Sequence, residues 1–305
     1  MRATSSRRKR ALIGAGALAL SAVLLGAALA AGADPVGGQP AAHRAVLGGS
    51  PAEPGSFPSV AFVLDVRGQL ADQCTGTVVA PNLVLTAAHC AENMQTGALA
   101  PASAFQVVTG TVEWNASARQ LSSVSRVILY PRFARRIDDG DAALLVLATP
   151  TTVPAIALAT PLNSHWLHAG TSATIAGWGK TRYQQSVSTK RLQQAQTGVQ
   201  TSAWCAHHVA QFDPKSELCT IDPPGYRTGG CEGDSGGPLI AVDPTDGEPV
   251  EVGVTIRAQY TCATRDPTIF TRVSAIYPWV HRWIIALKPP PAPVTTITTT
   301  TSETA

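Results

Sequence analysis

Three side chains have types and settings suited to covalent catalysis: Ser235 in CEGDSGGPLI (231–240), His89 in VLTAAHC and Asp141 in DGDAALLVL. A serine hydroxyl is a poor nucleophile until an imidazole takes its proton. The imidazole in turn needs a buried carboxylate to fix its tautomer and stabilise its cation. Attack on an acyl carbon leaves an oxyanion, which backbone N–H groups stabilise where glycine lets a loop present them at close range; the amides of Gly233 and Ser235 are the candidates. The glycines around Ser235 allow two geometries. In one, G-x-S-x-G is a strand-to-helix elbow whose acid and histidine follow in the chain, as Asp266 and His281 would. In the other, histidine and aspartate come first, as His89 and Asp141 do. Asp138 and Asp139 lie close enough in sequence to compete with Asp141.

The elements that must position these residues are short β-rich runs: SVAFVLDV (59–66), GTVVAPNLVLTA (76–87), FQVVTGTVEW (105–114), SVSRVILY (123–130), AALLVLA (142–148), SATIAGW (172–178), PLIAV (238–242), VEVGVTIRA (250–258) and TIFTRV (268–273). Pro-Asn, Asp-Gly and Pro-Thr-Asp-Gly turns separate them, and spacing of this kind predicts an all-β sandwich or barrel. The elbow reading needs helices alternating with strands before Ser235, and none are legible. One helix is predicted over 274–288, where Ile276, Trp279, Val280, Trp283, Ile284 and Leu287 recur on one face as a packing stripe. Pro278 is tolerated there only near the first turn. His207 and His208 read as loop surface between two cysteines.

The ends of the chain have a different composition. Residues 1–10 carry five basic groups, Ala11 to Ala31 is almost wholly apolar, and Ala31-Gly32-Ala33 supplies small residues, together the pattern of a secretory signal peptide over 1–33. The apolar run is also long enough to span a bilayer if uncleaved, and Ser6-Arg7-Arg8 faintly resembles a twin-arginine signal. Residues 34–45 read as a linker or propeptide, and the Pro/Thr-rich 289–305 as a flexible tail. Removing the leader leaves 18 Lys and Arg against 20 Asp and Glu. That balance gives nucleic-acid binding no electrostatic support. Cys74, Cys90, Cys205, Cys219, Cys231 and Cys262 are even in number and follow an export signal, so three disulfides are expected; zinc-ligand spacing is absent. Spacing alone leaves fifteen pairings open.

Over nearly the whole of 46–288 the sequence resembles the chymotrypsin/trypsin family of serine peptidases. The resemblance rests on TAAHC, DAALL, AGWGKT (176–181), CEGDSGGPL and TRVSAIYPWV. It implies two antiparallel six-stranded β-barrels over 46–160 and 161–288, a C-terminal helix, and a triad of His89, Asp141 and Ser235 in the cleft between the barrels. It implies the pairs Cys74–Cys90, Cys205–Cys219 and Cys231–Cys262, and a secreted endopeptidase acting on protein or peptide without cofactor or metal. An activating protease and a protein inhibitor are the further partners it implies. Activation in the family frees an amino terminus that pairs with the aspartate before the nucleophile, which maps onto Val46 and Asp234. The basic residue here is Arg44, one place early.

The pocket departs from trypsin's. Gly229 stands where trypsin-like enzymes carry an aspartate, and Thr268 stands where chymotrypsin-like pockets have glycine. Ile256, Arg257 and Ala258 replace Ser-Trp-Gly. The resemblance then implies an elastase-like slot for small aliphatic residues. The loss of the usual serine at Ile256 calls the support of Asp141 into question. A fold-retaining binding protein without turnover is the alternative that this odd segment raises.

Overall fold

The computed structural model describes residues 46–288 except 68–69, 93–95, 134–139, 182–187, 223, 259–261 and 263–264. The expected leader, propeptide and tail, and the competing Asp138 and Asp139, lie outside the described residues.

Six strands follow one another in the first half: β1 (Val60–Arg67), β2 (Leu70–Ala80), β3 (Leu83–Thr86), β4 (Phe105–Thr109), β5 (Gln120–Leu129) and β6 (Ala143–Leu147). They close into an antiparallel barrel in the order β1-β2-β3-β6-β5-β4. Closure removes the edges that an open sheet would expose. The Pro81-Asn82 turn breaks one apolar run into β2 and β3, and Gly110, at φ +77°, ends β4 well short of Trp114.

A second set repeats the plan: β7 (Ser172–Gly177), β8 (Gln193–Val199), β9 (Glu217–Ile221), β10 (Pro238–Val242), β11 (Pro249–Arg257) and β12 (Thr268–Arg272). These also form an antiparallel ring, in the order β7-β8-β9-β12-β11-β10. The two halves therefore share one topology. β8 and β9 were not among the runs picked out by composition. β8 is QQAQTGV, whose buried face carries Gln193, Ala195, Thr197 and Val199, so its alternation is real but only partly apolar.

Two helices complete the described chain, α1 (Ser202–His208) and α2 (Val273–Ala286). α1 corrects the reading of His207 and His208 as loop: they end a short helix that Thr201 caps by accepting the Trp204 N–H at 3.0 Å. Both histidines are exposed. α2 buries Ile276, Trp279 and Val280, with Trp283, Ile284 and Leu287 packed half-buried behind them. Pro278 is the sixth helical residue, one place deeper than expected and just past the first turn, because the helix starts at Val273. α2 also braces the first barrel, through Trp279 edge-on to Tyr130 (5.3 Å between centroids) and Leu287 O accepting from Asn82 Nδ2 at 2.7 Å.

The barrels meet through Trp178, which is fully buried. Its ring packs edge-on against Phe62 of β1 and its indole N–H donates to Val112 O at 3.1 Å. That contact fixes the backbone of Gly179, which the site uses.

Candidate active site

His89 sits in a 3-10 turn, Ala88–Cys90, directly after β3. Ala87 and Ala88 are fully buried, and the Cys74–Cys90 disulfide ties the turn to β2. Its position is set by one carboxylate at two points. The His89 N–H donates to Asp141 Oδ1 at 3.0 Å, and Nδ1 lies 2.7 Å from Oδ2. Asp141 is 2% exposed and His89 20%, so the pair is shielded while the imidazole keeps a face to solvent. A buried carboxylate is costly unless hydrogen-bonded, and two N–H donors meet that need. With Nδ1–H directed at Asp141, Nε2 is left as the proton acceptor.

Asp141 stands just before β6. Gly140 precedes it at φ +68°, and a Cβ there would lie 2.2 Å from the Tyr130 ring, so the approach requires glycine. Thr271 Oγ1 donates to the Asp141 carbonyl at 2.9 Å. Ile256 has no hydroxyl to offer, yet the Asp141 carboxylate is held by His89 and its backbone by Thr271. Sequence reasoning did not single out Thr271.

Ser235 is drawn to the same place through Thr75, another residue the sequence did not flag. The Thr75 N–H donates to Ser235 O at 2.8 Å and Thr75 Oγ1 donates to Gly233 O at 2.9 Å. Thr75 follows Cys74, which is bonded to Cys90 beside His89. Gly236, at φ +79°, passes so close to the chain before His89 that a Cβ would stand 2.0 Å from Thr86 Oγ1. On the other side, Gly236 N–H donates to Thr255 O (2.7 Å) and Thr255 N–H to Gly237 O (2.8 Å), which seals the loop against β11. Among the described residues, the amides of Asp234, Gly236 and Gly237 all reach backbone acceptors, whereas those of Gly233 and Ser235 reach none.

Asp234 is fully buried and takes Gly179 N–H at 2.8 Å and Cys231 N–H at 2.9 Å. Burial pushes its carboxyl up to about 7, although both donors pull the other way. Lys180 adds a clamp: its N–H donates to Glu232 O at 2.8 Å and its ammonium pairs with the Glu232 carboxylate. The partners in that clamp lie some fifty residues apart, one in AGWGKT and the other in CEGDSGGPL, and neither motif showed that the two would pair.

Val46 is fully buried with φ +45°, a costly conformation for a β-branched residue. The segment after it is stitched down by Gly229 N–H to Leu47 O at 3.1 Å and by Ser50–Pro51 pairing with Gln193 and Gln194. Gly48 is forced, because a Cβ would sit 1.6 Å from Arg227 O.

Thr268 is buried against the glycines ahead of Ser235. Its hydroxyl accepts Gly230 N–H at 2.9 Å and stands 3.5 Å from where a Gly229 Cβ would be. Thr255 Cγ2 also lies near these glycines, 3.6 Å from a Gly230 Cβ position, while Ala258 lies three residues further on, half-buried after β11. All three expected disulfides are present. Cys74 and Cys90 approach His89 as a three-residue cluster, but their sulfurs are bonded to each other and hold no metal-ligand capacity.

The family model described as Trypsin matches residues 46–280. A trypsin-like protease of Streptomyces glaucescens is 33% identical over 274 residues, covering 88% of this chain and 89% of its own. Cathepsin G of Mus musculus is 30% identical over 243 residues (78% and 84%), and a trypsin of Saccharopolyspora erythraea 29% over 232 residues (76% and 95%). The repeated barrel plan, the disulfides and these matches agree: the chain belongs to the trypsin family and is a serine endopeptidase.

Proposed function

We propose that Ser235 is the nucleophile of a secreted endopeptidase that cleaves after small aliphatic residues and is made as a zymogen. The observation that carries this reading is the two-point His89–Asp141 contact, joined to the Ser235 loop through Thr75. His89 Nε2 takes the Ser235 proton as Oγ bonds to the scissile carbonyl carbon, and Asp141 stabilises the resulting imidazolium. The Gly233 and Ser235 amides receive the oxyanion; losing one such donor costs about 2.7–4 kcal/mol of barrier. His89 then protonates the departing amine, and water hydrolyses the acyl-enzyme by the same steps in reverse order.

Thr268 beside Gly229 supports the small pocket, with Ala258 as its outer edge. Gly229 supplies no carboxylate to bind Lys or Arg. Activation follows from Asp234: a buried carboxyl raised to about 7 gains most from an arriving ammonium. Cleavage between Ala45 and Val46 would free that ammonium and release the strained φ of Val46. The family match opening at Val46 supports 34–45 as a propeptide after a leader over 1–33. Three disulfides support export. The test is N-terminal sequencing of active enzyme together with a peptide panel. Val46 at the terminus and cleavage after Ala or Val are expected. A terminus at Asp34, or cleavage only after Arg, would refute the activation or the pocket assignment respectively.

A further inference from the structure

The Gly233 N–H belongs to the peptide that joins it to Glu232, so whatever fixes that peptide decides where the N–H points. In a trans peptide the carbonyl and the N–H face opposite ways. Lys180 N–H donates to Glu232 O at 2.8 Å, which pins the carbonyl to one side and turns the Gly233 N–H to the other, where it reaches no backbone acceptor among the described residues. Gly233 itself offers little resistance to a flip. It stands at φ +95°, and glycine populates either sign of φ about equally readily. The restraint has to come from its neighbours.

Both neighbours of Gly233 are gripped by residues 178–180, at the end of β7. Asp234 Oδ1 accepts the Gly179 N–H at 2.8 Å, and Gly179 Cα stands 2.9 Å from where a Gly233 Cβ would be. Trp178 O is held in turn by Gln73 Nε2 at 3.2 Å. On the other side the Lys180 ammonium pairs with the Glu232 carboxylate, across the same two residues that share the backbone bond. The ion pair closes a ring with that bond and keeps the Lys180 N–H within reach of Glu232 O. Lys180 is 24% exposed and Glu232 68%, so salt reaches the pair, and an exposed pair shifts an equilibrium by no more than about fivefold.

We propose that Lys180 and Glu232 are a positioning pair, whose ion pair holds the Glu232–Gly233 peptide in the orientation that presents its N–H to the oxyanion. The inference rests on Ser235 as the nucleophile and Gly233 as an oxyanion donor. Lys180→Met removes one charge and keeps the backbone N–H; Glu232→Gln removes the other charge. Each is expected to lower kcat on a peptide p-nitroanilide about threefold to fivefold with KM within about twofold, and the double substitution to be no slower than either single one. Raising salt should slow wild type toward the Lys180→Met rate. A peptide aldehyde reads the oxyanion itself: Ser235 Oγ bonds to the aldehyde carbon, the hydroxyl proton passes to His89, and the carbonyl electron pair moves onto the oxygen that faces the two amides. The matching peptide alcohol fills the same subsites and forms no adduct. Lys180→Met should weaken aldehyde binding about threefold to fivefold and leave alcohol binding unchanged, and Lys180→Arg should keep most of the wild-type affinity. Unchanged kcat in Lys180→Met, losses that add in the double variant, or equal weakening of aldehyde and alcohol overturns this proposal alone. A wild-type enzyme that binds the aldehyde no more tightly than the alcohol overturns the reading of the oxyanion site as well.

Discussion

Replacing Thr268 by glycine removes the side chain that fills the space beside Gly229 and Gly230. Thr268 is 2% exposed, and its Cγ2 lies 3.0 Å from the position of a Gly230 Cβ, so the space it vacates adjoins the glycines of the pocket. The change deletes three heavy atoms, Cβ, Cγ2 and Oγ1, and each methylene-sized step in an apolar pocket is worth about 1–3 kcal/mol of discrimination. Taking one step as the floor, the ratio of kcat/KM for Phe over Ala before the scissile bond should rise by about 10-fold to 200-fold. The Gly230 N–H loses its partner, at a cost of about 1–3 kcal/mol in stability before any water enters. Thr268→Ser is the control: it keeps the hydroxyl bonded to Gly230, loses the methyl, and should shift the ratio less. The assay is a p-nitroanilide series with Ala, Val, Leu and Phe before the bond. A folded Thr268→Gly enzyme with an unchanged ratio, or a wild type that already favours Phe, would refute the reasoning.

Two further perturbations probe stability rather than specificity. Glu251 is fully buried, Thr77 Oγ1 donates to it at 3.3 Å, and burial pushes its carboxyl up to about 8 from an ordinary 4.5. Below pH 4 it is protonated whether the chain is folded or not. As pH rises from about 4.5 to 8 only the unfolded chain ionises, so folded stability falls. Glu251→Gln should therefore match wild type near pH 4 and exceed it by a few kcal/mol at pH 8 in denaturant unfolding; equal stability at both pH values would contradict this. Removing Cys205–Cys219 by a double serine substitution opens a loop of sequence separation 14 and should cost about 3 kcal/mol. Thermal unfolding of that variant at the wild-type temperature would show the crosslink to be idle.

What the sequence revealed depended on how local the signal was. His89, Asp141 and Ser235 could be picked out because each stands in a short contiguous stretch, TAAHC, DAALL and CEGDSGGPL, that resembles the family's motifs. The all-β class followed from turn-separated apolar runs, which left sandwich and barrel open, and the two barrels followed from the resemblance. β8 escaped because its buried face carries Gln193 and Thr197 among small apolar residues. β9 is only five residues long and buried on both faces, so it has no alternation to read. α1 is too short for its period to show, and the histidines at its end looked like loop. The partners that hold the site are the least legible. Thr75 with Ser235, Gly179 with Asp234, and Lys180 with Glu232 each join residues at least forty apart. The barrel topology brings those pairs together, and no spacing rule encodes it.

The central claim is that Ser235, activated by His89 and Asp141, is the nucleophile. Fluorophosphonate labelling of enzyme with Val46 at its terminus, followed by mapping of the modified residue, tests it most directly. The account predicts stoichiometric modification at Ser235, lost in Ser235→Ala and strongly slowed in His89→Ala. Modification at another serine, or labelling at an undiminished rate in His89→Ala, would contradict it.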